Sequence, residues 1–505
     1  MNGGLEWTEI GDQRGLDHLG MLAPVESCYQ SLLQGLSSVT TRIRYYAFHC
    51  WWLADYSRKD PSSSRSAYSL RTRRAEALFA LASSFSGSAA TGLNGEQGLS
   101  GRRWAEKMLL SGSNTINFRS ATDPATPESE RYLGTAQGDF MGIYAPQMTV
   151  MELLHRNDVM ELPVPSKLGF DLAERFAASV GTAGGIFLSA VQEGVIDRSA
   201  LAELSKFRPG ALDHGSDEAE ALRDLLFARS VSISRHETRR KTLHAILETA
   251  RQLDAPVSED VLRWHWMERA QDPSDPRHDI LERWRHYQSG DTLRLVYEAL
   301  FALVLREMSN EGQPVPLANL VGQIAAVLGG RGSFGQVLAA IDRVNGERTM
   351  KDLQQAAIGR QLATLPLDEA LTTILGPLAR LMRIWSGKVE DLGQSYPPRH
   401  RAQTVRDELL RFENASHDPV ERVLETVLRE QILKRHLVVA GQKFRQQQSY
   451  TYCFEVDEAR LRYRSMVGLA PSGPRLRSAI RFLEDVGCLD QGKISPLGLR
   501  ELAAA

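Results

Sequence analysis

From Ser166 to about Ala440 apolar residues recur at i, i+3, i+4 and i+7, a rhythm that fits little except amphipathic helix. Segments Ser166–Gly185, Arg198–Phe207, Asp217–Phe227, Glu237–Leu253, Ser258–Ala270, Asp279–Gln288, Asp291–Met308 and Leu317–Leu328 all carry it. Pro and Gly clusters at 208–216, 271–277 and 329–335 separate them. A further helical block runs from Thr349 to about Ala440. The expected class is mainly α with minor β. Four segments are expected: 1–165, an aromatic and basic helical region with a long irregular insertion; 166–335, a central helical domain; 336–440, a second helical block; and 441–505.

That last segment changes character. Ser449–Val456 (SYTYCFEV) alternates aromatic and polar residues as a strand does. Arg475–Val486 reads as a helix stopped by Gly487, Leu489–Ile494 as a hairpin turning over Gln-Gly, and Pro496–Leu502 as a short helix. This order resembles the end of a winged-helix domain, in which the hairpin is the wing. Such modules contact nucleic acid or simply pack against protein.

Composition excludes several classes. The chain has 505 residues, 60 Lys+Arg and 62 Asp+Glu, so no overall charge points to a polyanionic partner. The first 30 residues lack a signal-peptide pattern. The most apolar run, Leu295–Leu305, is about half the length that spans a bilayer and contains Glu298. Four cysteines, at 28, 50, 453 and 488, are too few and too scattered for a disulfide framework or a zinc knuckle. The expectation is a cytoplasmic protein with no membrane partner.

Charge is uneven locally. Thr41–Lys107 holds 11 Lys+Arg against 5 Asp+Glu, and Lys434–Arg481 holds 10 against 3. Phosphate binding depends on such clustering, because each neutralised phosphate releases condensed counterions. Within the first stretch lies TRIRYYAFHCWWLADYSR (41–58), seven of whose 18 residues are aromatic when His49 is included. Arginines beside rings offer phosphate clamps and stacking surfaces. The alternative is a core helix whose rings fill space and whose arginines pair with carboxylates. On the first reading, DNA contacts fall on Arg42, Arg44, Tyr45, Trp51, Arg71, Arg73, Arg74, Arg475, Arg477 and Arg481.

Motif searches are mostly negative. There is no GxxxxGK[ST], no HExxH and no GxSxG, and the twelve His make no metal-ligand spacing with Cys or carboxylates. No metal and no cofactor are expected. Hydrolysis of an N-glycosidic bond in DNA survives such sparse equipment. It needs a pocket for an extruded base, a side chain that places water, and polar groups facing a cationic sugar.

Gln34–Tyr56 (QGLSSVTTRIRYYAFHCWWLADY) resembles the Gln-x-Gln or Gln-x-Asp segment, with its following Arg-, His- and Tyr-bearing helix, of the winged-helix alkylpurine DNA glycosylases. Gln34 takes the first motif position. The third is Leu36, where that family has Gln or Asp, so the water-activating half must come from elsewhere. The string GLSSVTTRIRYYAFHCWW also resembles the opening of large bacterial proteins from defence islands. Together these resemblances imply a cofactor-independent glycosylase acting on a modified base in double-stranded DNA, in an antiphage role. A non-catalytic winged-helix subunit or adaptor of a defence system is the alternative. Gln34, Asp55 and Asp139 are the candidates for water positioning or sugar stabilisation. Asp139 lies in a Gly-flanked loop (AQGDFMGIY) beside Phe140 and Tyr144.

Overall fold

The computed structural model describes residues 17–504, apart from 38, 40–41, 60–64, 88–92, 94, 136–137, 157–161, 230–232, 271, 396–404 and 448. The protein is mainly helical, with short two- and three-stranded sheets. No described helix is long and apolar enough to cross a membrane. The chain divides into two compact units that interleave in sequence. One comprises Met1–Tyr29 with Arg263–Ser472, the other Gln30–Leu262 with Gly473–Ala505. The expected boundary at 165/166 therefore falls inside the second unit, and segment 441–505 is shared between both.

The first unit is organised by one helix, His278–Glu311. Sequence reading breaks this element at Ser289-Gly290. The structure carries it through, because tertiary packing compensates the weak helix formers. The Ser289 hydroxyl accepts the Trp385 indole N–H at 3.0 Å, and the helix is buried on almost every side. Burial on all faces requires its charges to be paired. Asp291 takes Arg263 at 2.9 Å and Arg294 at 2.8 Å, and Arg294 also binds Glu298 at 2.7 Å. Gly312 ends the helix in the left-handed region at φ 66°. Val315–Pro316 pairs with Arg460–Tyr463, which pairs in turn with Phe454–Asp457, all antiparallel. The expected strand at Ser449–Val456 thus forms a few residues later.

The second unit is built on the aromatic segment, which is helical over Arg44–Lys59. This helix is a core element. Phe48 packs on Phe79 at 4.2 Å, Trp51 on Phe176 at 5.5 Å and Tyr46 edge-on to Phe482 at 5.8 Å. Its neighbours include helices Arg65–Ser84, through Phe79 and Tyr68, and Lys167–Val180. Helix Leu476–Asp485 docks at its start. Asp485 accepts from Arg42 Nε at 2.9 Å and from the Ile43 amide at 3.1 Å. After it, Leu489–Asp490 and Lys493–Ile494 form a two-stranded hairpin, followed by helix Pro496–Ala503.

Candidate functional site

Helix Arg65–Ser84 carries Arg73 and Glu76 one turn apart, both facing inward. The chain at Gly138–Asp139–Phe140 runs directly over Glu76. The Glu76 carboxylate accepts the Phe140 amide at 2.6 Å, the Asp139 amide at 3.2 Å and the Tyr132 hydroxyl. Gly138 makes this crossing possible. Its φ is 73°, and a Cβ there would lie 2.5 Å from both Glu76 Oε2 and Tyr132 Oη. Phe140–Tyr144 then forms a π-helical turn, a wide geometry that recurs at functional sites.

The turn presents Phe140 and Tyr144 to the aromatic helix. Tyr144 stacks on Tyr45 at 4.9 Å, and His49 lies 4.6 Å from Tyr144 and 4.8 Å from Phe140. Ser100 closes the group: its side chain bonds Asp139, its amide donates to Tyr45 Oη at 3.1 Å, and its hydroxyl is 3.5 Å from Tyr144 Oη. The result is a carboxylate pair, Glu76 and Asp139, walled by three tyrosines, a phenylalanine and a histidine.

Electrostatics set this group apart. Burial pushes the Glu76 carboxyl up to about 8, against the pull of the Tyr132 hydroxyl, with the nearby Asp139 charge adding to the rise. Burial also raises Asp139, with the Ser100 bond opposing it. Burial holds His49 down to about 3, so its imidazole is neutral, and among the described residues neither ring nitrogen has a hydrogen-bond partner. Arg73 is buried, and among the described residues its guanidinium makes no hydrogen bond of normal geometry, the polar contact it has being with the Tyr132 hydroxyl. It lies over the Tyr132 ring at 5.9 Å, and desolvation lowers its pKa. Buried polar groups are normally satisfied, so several orphaned ones in one place mark a spot not optimised for stability alone.

The three candidates for water handling lie in different surroundings. Asp139 is in this group and buried. Asp55 pairs with Lys59 one turn along its own helix, at 2.7 Å. Gln34 gives its carbonyl to the buried Arg239 at 3.0 Å. His49 and Tyr144 stand out in the sequence, one on the aromatic helix and one beside Asp139, whereas Glu76, Tyr132 and Ser100 do not. Glu76 sits inside an ordinary helical pattern, and its partners lie 56–64 residues further on.

The expected DNA-contact residues lie in unlike surroundings. Arg42 is buried against Asp485 and Glu96, and Arg44 is bound bidentately by Glu218 at 2.8 and 2.9 Å. Arg44 also donates to the carbonyls of Lys206 and Arg208. Tyr45, Trp51 and Arg73 are buried, so these five side chains present neither charge nor ring face to solvent. Arg71 lies over the Tyr56 ring at 5.6 Å, and Arg74 donates to the Gln192 carbonyl at 2.8 Å. Arg475 donates to the Leu36 carbonyl at 2.6 Å, and Arg481 pairs with Glu484 at 2.7 Å. Arg477 is exposed. Arg42 and Arg481, from opposite ends of the chain, do converge. Both line a cleft of about 530 Å³ with Asp485, Glu484 and His214.

Among the described residues one group has a donor set suited to a metal: His18, His436 and Cys453 of the first unit, all buried. Comparison with known proteins finds no matching family model, no matching curated relative and no matching solved structure.

Proposed function

We propose that the protein is a DNA glycosylase whose chemistry needs no cofactor, with Glu76 and Asp139 as its acid–base pair. One observation carries this: two adjacent carboxyl groups, both pushed toward their neutral forms, in a ring-lined interior that also holds the buried Arg73. Carboxyl pairs held in unlike environments divide acid and base roles. Glu76, up at about 8, is the proton donor to the departing base. Asp139 is the group that places water and faces the cationic sugar. Neutral His49, Tyr45 and Tyr144 form a wall against which a flipped base stacks. The pair is closed to solvent, so turnover includes an opening step in which Ser100 and Tyr132 release it. Helix Leu476–Asp485 with its hairpin serves as a winged-helix DNA contact, and Arg477 offers its exposed cation. The modified base, the duplex substrate and the antiphage role follow from the family resemblances of the sequence, and the cytoplasmic setting from its few, scattered cysteines.

The test is strand cleavage at abasic sites. Full-length protein is incubated with duplexes carrying alkylated, deaminated or glucosylated bases, without added metal, and then treated with alkali. Cleavage that falls about 10²–10⁴-fold in Asp139→Asn, with an unchanged thermal melt, supports the reading. No cleavage on any of these duplexes removes it for them. One feature favours the alternative, a non-catalytic DNA-binding subunit or adaptor. Glu76 already has three donors, as a purely structural cap of the 138–140 crossing would. On that reading duplex binding persists and weakens with salt, while no base is released.

A further inference from the structure

We propose that His18, His436 and Cys453 form a zinc site that ties the start of the described chain to the sheet of the first unit. The three residues are 418 and 17 positions apart, yet their donor atoms lie within 4.8 Å of one another. Each is fixed by a different element. His18 precedes helix Leu22–Leu32, and its neighbour Asp17 accepts the Met21 and Leu22 amides at 3.0 Å each. His436 lies on helix Lys434–Gln447. Cys453 stands immediately before strand Phe454–Asp457, its carbonyl pinned by the Arg464 amide at 2.9 Å.

Two geometric facts fit a metal. The His18 Nδ1 to Cys453 Sγ distance is 3.6 Å. Zinc bonds of about 2.3 Å to sulfur and 2.0–2.1 Å to nitrogen, at a tetrahedral angle, place those two atoms about 3.6 Å apart. In addition, His436 Nδ1 is 3.1 Å from the His18 carbonyl. An N–H donated there fixes the tautomer and turns the Nε2 lone pair toward the cysteine, the outer-shell arrangement that metal-bound histidines use. The surrounding shell is apolar: Phe301 lies 4.6 Å and Phe454 5.4 Å from the His436 ring.

Binding exchanges defined contacts. His436 Nε2 gives up the Cys453 amide, which it accepts at 3.0 Å, for a bond to zinc. The Cys453 thiol loses its proton to solvent, and its thiolate binds. A water fills the fourth position. Lys443, whose ammonium donates to the Asp17 carbonyl at 2.5 Å, is the nearby cation the thiolate offsets. The donor set, two imidazoles and one thiolate, suits zinc better than magnesium or calcium. This site lies in the first unit, and the Glu76–Asp139 proposal stands or falls without it.

The experiment uses the full-length chain expressed with zinc in the medium and purified without chelator. Elemental analysis is expected to find about one zinc per chain after dialysis. Cobalt loading is expected to give a thiolate-to-cobalt charge-transfer band that Cys453→Ser lacks. His436→Gln should weaken zinc retention at least about tenfold. A chelator should lower the wild-type melting temperature and leave that of Cys453→Ser unmoved. The wild-type chelator shift needs no variant, so misfolding of either variant leaves the test intact. Wild-type protein that retains no zinc, gives no cobalt band and melts identically with zinc or chelator overturns the proposal.

Discussion

Arg44 and Arg73 are both buried arginines of the second unit, each beside a buried glutamate, and they are held in opposite ways. Arg44 meets Glu218 bidentately and spends another nitrogen on two backbone carbonyls. Arg73 sits a turn from Glu76, but that carboxylate is taken by two amides and a tyrosine, and the guanidinium faces the Tyr132 ring and hydroxyl instead. A satisfied buried pair fixes a fold; an unsatisfied one costs stability, and a chain that keeps it is expected to use it. The sequence presents both arginines as the same thing, basic residues near rings. Only their partners tell the two apart.

The contrast can be broken most directly at its satisfied half. Arg44→Ala leaves Glu218 charged and buried, and is expected to cost about 3–5 kcal/mol in urea denaturation. A loss under about 1 kcal/mol would mean that the pair does not hold the core. Gly138→Ala comes next. It places a methyl group against Glu76 and Tyr132 at a left-handed φ, and should cost about 1–3 kcal/mol and abolish any base release. If Gly138→Ala melts with wild type, the crossing over Glu76 is not as described.

Titration sharpens the unsatisfied half. The folded pKa of Glu76 is raised from 4.5 to about 8, so the protonated form is the one the fold favours. Its stabilising effect is complete below pH 4.5 and is lost as pH rises through about 8. Glu76→Gln lacks this slope. The stability gap between wild type and variant should therefore narrow from pH 5 to pH 8 in paired melts, and a gap that widens would show an ionised Glu76. His49 and His436 work in the other direction. Burial holds them down to about 3 and about 4, so below pH 6.5 the unfolded chain protonates first and both forms lose stability together. The smallest effect is expected at Arg477→Glu. This exposed residue should change stability by less than about 0.5 kcal/mol. The same change should reduce the salt slope of duplex binding by about one if the terminal helix meets phosphate.

Much of the secondary structure was legible. The aromatic helix was expected over 41–58 and forms at Arg44–Lys59, and the terminal helix expected at 475–486 forms at Leu476–Asp485. Ser289-Gly290 was misread as a break because local propensity cannot register a tryptophan N–H arriving from residue 385. Asp139 is marked in the sequence by the glycines around it. Glu76 is not, since nothing in an amphipathic helix marks which acid a distant loop will cover.

Periodicity, by itself, determined that this chain is helical and where most of its helices lie, because a helix buries one face whatever it packs against. Which charges that burial would satisfy was decided only in three dimensions. A guanidinium, carboxylate or thiol reaches a few ångströms, and its partners, Asp485 for Arg42, Asp139 for Glu76 and Cys453 for His18, lie tens to hundreds of residues away.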